Sequence, residues 1–158
     1  ISAFSAYDFA RGVVAARSGN VSAAEAQARR LQARSDAARA NAVGVVASRY
    51  DSVTPGELEQ GQILATALEG AILFAQGKQD DGLKRVRQAA DRADSMAFEY
   101  GPPYSVKPLD ELLGDLLLTA EKPAAAAAAY RKTLAVHPNR RLAVAGLNAA
   151  LGAESPEG

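Results

Sequence analysis

Cysteine is absent from this 158-residue chain, which excludes disulfides, thiol chemistry and thiolate metal sites. Histidine occurs once, at His137. A general base or a metal ligand needs companions, so histidine-centred chemistry has little to work with. Neither charge is in excess: 18 basic residues balance 18 acidic ones. That argues against a general nucleic-acid binder, which needs a strong positive field. No apolar run approaches the ~20 residues that span a bilayer, so no membrane span is expected. Methionine is missing from the first position. The chain starts at Ile1 and reads as a processed product or a piece of a longer protein, with any signal peptide already removed. Aromatic residues are only 6%.

What is abundant is alanine, within a hydrophobic share of 48%. That composition suits helices packed through small side chains, and the length suffices for one domain with its own core. The strongest signal is internal repetition. Gly12, Gly70 and Gly114 head three copies of one pattern. Each is followed twelve residues on by a small residue, Ala24, Gly82 and Ala126, and four further by Ala28, Val86 and Tyr130. Two copies carry a helix-breaking glycine midway, Gly19 and Gly77. Self-similarity of this kind signals stacked helical hairpins.

Helix boundaries follow from local chemistry. Ser22 and Glu25 form one capping-box pattern, and Thr54 and Glu57 a second, with Pro55 at the first helical position. Asp80 or Asp81 is placed to cap the next helix. Pro108 and Pro123 sit where first-turn prolines are expected, and Asn139 is placed to cap a last helix over residues 140–151. The expected helices are 6–18, 22–36, 57–76, 81–96, 108–120, 123–136 and 140–150, with small–small contacts pairing Gly12 with Ala24, Gly70 with Gly82, and Gly114 with Ala126. Residues 154–158 read as a frayed tail.

In the third copy Leu113, Gly114 and Leu117, then Ala126 and Tyr130, then Pro138 follow the spacing L-G-x2-Y, A-x3-F, P, which resembles the tetratricopeptide repeat (TPR) family. The resemblance covers roughly residues 5–36, 63–95 and 107–140. Gly101, Pro102, Pro108, Glu111 through Asp115, and Pro138 through Arg140 are similar to the last repeats of longer bacterial TPR proteins of undefined activity. The implied fold is all-α: a TPR-like α-solenoid of about three helix-turn-helix hairpins with a C-terminal capping helix, one domain over residues 1–153. The glycines are more widely spaced than the family's 34 residues: 58 from Gly12 to Gly70, and 44 from Gly70 to Gly114. The first excess reads as lengthened helices, from Ser22 towards Arg49 and from Pro55 to Gln76, with a turn at Asp51–Thr54. The second is the proline-rich loop Glu99–Pro108.

The resemblance implies a groove lined by the first helix of each hairpin: Ala6, Phe9, Val13 and Ala16, then Leu64, Ala67, Ala71 and Phe74, then Glu111, Asp115 and Leu118. Two walls are apolar and the third acidic. The lysines and asparagine of a carboxylate-gripping TPR are missing from these places. The expected activity is non-enzymatic binding of a protein or peptide whose apolar residues are flanked by Lys or Arg, without cofactor, metal or nucleic acid. The expected setting is a soluble protein of the bacterial cytoplasm or periplasm. Tyr100 and Tyr104 either add an aromatic contact surface or anchor their loop. A homodimer, or a self-association domain whose groove its own proline-rich loop fills, is the alternative. An enzyme or small-ligand domain is a third class, but its candidate groups have simpler readings. His137 lies at a repeat boundary, Asp80 and Asp81 at a helix start, and Glu111 and Asp115 on one helix face. Lys84, Arg85 and Arg87 share a helix with four aspartates, a mixed solvated surface.

Overall fold

The computed structural model describes residues 3–44, 54–96 and 107–154, and the structural statements below concern those residues. They form seven α-helices and no strand: α1 Ala3–Arg17, α2 Val21–Gly44, α3 Pro55–Ala75, α4 Gln79–Ser95, α5 Leu109–Thr119, α6 Pro123–Val136 and α7 Arg141–Glu154. The lengthened second helix is present as far as Gly44, and α3 starts at Pro55 as its cap demands. Thr54 Oγ1 accepts from the Glu57 N–H at 3.1 Å, and Glu57 Oε2 accepts from the Thr54 N–H at 2.9 Å, a reciprocal capping box. Residues 45–53 and 97–106, including Tyr100 and Tyr104, lie outside the described residues.

Three tight turns share one construction. Each first helix ends on a residue with positive φ: Gly19 at 77°, Gly77 at 84° and Glu121 at 57°. The next N–H then reaches back to a carbonyl five residues earlier: Asn20 to Ala15 at 2.9 Å, Lys78 to Leu73 at 3.0 Å, and Lys122 to Leu117 at 2.9 Å. This is the Schellman way of satisfying the last carbonyls of a helix. The third copy makes it with glutamate where the others have glycine, so its turn was invisible to a search for glycine.

Several expected caps are corrected. The start of α2 is capped by Asn20, whose Oδ1 accepts from the Ala23 N–H at 3.1 Å. Ser22 is already inside the helix, because the Gly19 turn leads straight into it. Lys78 rather than either aspartate precedes α4. Asp80 and Asp81 occupy its first turn, where carboxylates still favour the helix N-terminus. Pro108 stands just before α5, Pro123 begins α6 as expected, and α7 opens on the Arg140 carbonyl rather than at Asn139.

Consecutive helices pack in the pairs α1–α2, α3–α4 and α5–α6, joined by α2–α3, α4–α5 and α6–α7 contacts. The odd helices also approach one another in sequence, α1 to α3, α3 to α5 and α5 to α7, whereas the backbones of α2, α4 and α6 stay apart. The even helices therefore splay, leaving gaps floored by α3 and α5. At Gly70 an added Cβ would lie 2.8 Å from the Gly82 carbonyl oxygen, so the expected α3–α4 backbone approach is present. The other two glycines serve different neighbours. A Cβ on Gly12 would meet Leu68 of α3 at 2.6 Å, and one on Gly114 would meet the Tyr130 ring at 2.9 Å. Ala24 and Ala126, the small residues expected opposite them, are fully buried in the same packed pairs.

Candidate functional site

Glu111 and Asp115 lie one turn apart on α5, as their spacing requires, but they are not an open acidic wall. Glu111 is fully buried. Its carboxylate accepts from Lys107 Nζ at 2.6 Å and from Arg140, through Nη2 at 3.2 Å and through Nε. Asp115 accepts from Arg17 at 2.6 Å and from the Tyr130 hydroxyl at 2.7 Å, and pairs with Lys107 at 2.9 Å. Two carboxylates thus meet three cations. Burial pushes the Glu111 carboxyl up, but hydrogen bonds from Arg140 and Lys107 and their positive charges outweigh it and hold it below its ordinary value. Tyr130 is raised above its ordinary value, first by burial and then by its bond to Asp115. Its ring fits between α5 and α7 because Gly114 and Gly146 both face it without a side chain. The network ties the end of α1, both helices of the third hairpin and the start of α7 into one unit. The expectation of a wall selecting Lys or Arg on a partner is corrected: the protein supplies those cations itself.

The apolar walls are corrected as well. Phe9 is 1% exposed, and Val13, Ala16, Leu64, Ala67 and Ala71 are buried with it. Phe74, Leu118 and Ala6 are half-buried, Phe74 and Leu118 against the same core. They belong to the one hydrophobic core, so the face that the sequence assigned to a partner is largely closed by the protein's own packing. Burial of Phe9 inside the helical core removes it as a surface anchor.

Two gaps between even helices carry charge of opposite balance. In the gap between α4 and α6, Lys132 of α6 reaches Asp94 and, at 3.8 Å, Asp91 of α4, and approaches Asp110 of α5 at 3.4 Å. Burial raises the Asp110 carboxyl; Lys132 opposes this, and the neighbouring Asp94 and Asp91 add to it. The gap between α2 and α4 is different. It forms an open groove of about 550 Å³, lined by Ala28, Arg29, Gln32 and Arg39 of α2, Gln62, Ala65, Thr66 and Glu69 of α3, and Arg92 of α4. Arg92 is held by Glu59 at 2.6 Å, and Glu69 by Arg85 at 3.0 Å. Arg29 and Arg39 are exposed and make no hydrogen bond or ion pair among the described residues.

His137 is exposed, at the end of α6. Asp80 pairs with Lys122 across two hairpins at 2.9 Å, and that bond lowers its carboxyl. Among the described residues no three His, Asp or Glu side chains are grouped to hold a metal ion, and no helix is long and apolar enough to cross a membrane. Reading by motif missed Arg17, Lys107, Arg29 and Arg39. The i, i+4 step from Lys107 to Glu111 was a usable signal, as was the shared face of Arg29, Gln32 and Arg39. Comparison with protein-family models, curated proteins and solved structures gives no match.

Proposed function

We propose that this protein is a TPR-type helical scaffold that binds a protein or peptide segment. The observation that carries this reading is the packing order: odd helices in continuous contact, even helices splayed, and three turns of one construction at a fixed offset from Gly12, Gly70 and Gly114. Stacked repeats of this kind create extended surfaces on a rigid frame. The groove between α2 and α4 and the network around Asp115 are the surfaces such a frame holds in place. The apolar partner flanked by Lys or Arg, expected from the sequence, loses support, because its apolar seats are core and its acidic seats are already paired. The test is selection from a displayed random-peptide library with the folded protein. Convergence on a shared motif is expected. Enrichment no better than on an unrelated helical protein would overturn the reading.

A specific feature favours self-association as a second reading. Leu142 and Val144 of α7 are 64% and 41% exposed, and Val136 is 72% exposed at the end of α6. Sedimentation of the parent beside Leu142→Glu decides it: a single monomeric species for both, at all concentrations, excludes association through this end.

A further inference from the structure

The two gaps between even helices differ in their balance of charge. Between α4 and α6 the protein fills the gap with its own charges, three carboxylates around Lys132. Between α2 and α4 the signs are reversed and incomplete. Three arginines line the groove with one carboxylate, Glu69, which Arg85 already holds from outside. Arg92 has Glu59, but Arg29 and Arg39 have no ion pair or hydrogen bond among the described residues. Both project from one face of α2, with Gln32 between them, and Gln32 is itself turned along the helix to Asp36 at 2.9 Å. Besides Glu69, α3 contributes uncharged residues to the floor: Ala65, Gln62, and Thr66, whose hydroxyl donates to the Gln62 carbonyl.

We propose that this groove binds an acidic peptide segment of a partner protein in extended conformation, its carboxylates paired with Arg29 and Arg39. This rests on the scaffold reading above and assigns it a surface and a partner chemistry. The geometry sets the spacing. Ten residues of helix separate the two arginines, about 15 Å at 1.5 Å per residue. An extended chain covers that distance in four or five residues at roughly 3.3 Å each. Guanidinium groups are suited to carboxylates through paired N–H donors. The small side chains of Ala28 and Ala65 leave room for a backbone, and Gln62 offers an amide along it.

The test uses a labelled ten-residue peptide carrying two glutamates four residues apart in an alanine–serine background, with a di-glutamine peptide as control. Binding to the whole chain is followed by fluorescence anisotropy and by the arginine Nε–H signals in NMR spectra. Saturable binding is expected, weakened by added salt, with the Arg29 and Arg39 signals shifting. Binding should fall at least about tenfold for the di-glutamine peptide and for the Arg29→Gln/Arg39→Gln protein, which corresponds to about 1.4 kcal/mol. The melting curve of that variant serves as the folding control, and Arg87→Gln as a charge control that should bind like the parent. The proposal is overturned if the glutamate peptide fails to bind at about 1 mM, or if it binds parent and double variant alike. Shifts confined to other residues overturn it too, as do shifts of these two signals with protein concentration alone, which would assign the groove to a second copy. A library-derived peptide that still binds the double variant would leave the scaffold reading standing and remove this one.

Discussion

Replacing Glu111 by glutamine separates a structural carboxylate from a recognition one. The side chain is fully buried and is bonded by Lys107 and Arg140. Glutamine keeps the volume but loses the charge and turns one acceptor into a donor facing a cation. Breaking a buried pair from one side costs roughly 3–5 kcal/mol. Lys107 and Arg140 are 17% and 28% exposed, so water relieves part of that, and Lys107 keeps Asp115 at 2.9 Å. The low end, about 3 kcal/mol, is therefore expected, or roughly 6–12 °C in Tm for a chain of this size. Far-ultraviolet circular dichroism melts and urea titrations measure it. The pH dependence supplies a second readout. The folded carboxyl is held below its unfolded value, so its contribution is complete above the unfolded pKa and is lost as pH falls through the folded one. The parent should lose stability on acidification below about pH 5, and the variant should lose less. A cycle with Arg140→Gln should show coupling of about 0.5–3 kcal/mol. A Glu111→Gln protein within about 0.5 kcal/mol of the parent, the scale of ordinary surface changes, with an unchanged acid limb, would refute the reasoning.

Four further outcomes are expected. Gly70→Ala should destabilise by about 1–3 kcal/mol and more than Gly12→Ala. The new methyl at Gly70 meets backbone of α4 at 2.8 Å, whereas at Gly12 it meets the movable end of Leu68; paired melts test the order. Phe9→Ala should cost about 3–5 kcal/mol as a core truncation, and any peptide bound by the folded variant should bind as it does to the parent. Glu121→Gly should stabilise by about 1 kcal/mol, because a non-glycine residue stands there in the left-handed region, and urea midpoints will show the sign. Asp110 has a folded pKa raised by burial. Relative to the unfolded chain it favours folding below the unfolded pKa and loses that advantage as pH rises through the folded one. Asp110→Asn should therefore gain stability over the parent near neutral pH but not in acid, read from melts at both.

Sequence alone determined the helices and the copies. Glycine, proline and capping chemistry act within a few residues, so Thr54, Pro55, Gly77 and Pro123 mark their boundaries wherever the chain goes. The equal offsets behind Gly12, Gly70 and Gly114 announced repeated hairpins, and the close approach at Gly70 and Gly82 was legible for the same reason. Tertiary structure decided what each helix face meets. An apolar stripe looks the same whether a partner or the next helix covers it. The packing of the helices into one stack turned Phe9, Val13 and Ala71 into core. Apart from the i, i+4 step from Lys107, the charges around Glu111 and Asp115 were equally illegible. Arg17 is 98 residues from Asp115 and Arg140 29 from Glu111, and no local rule joins groups so far apart. Only the folded stack brings those cations to α5, and only its splayed outer row leaves Arg29 and Arg39 without an anion.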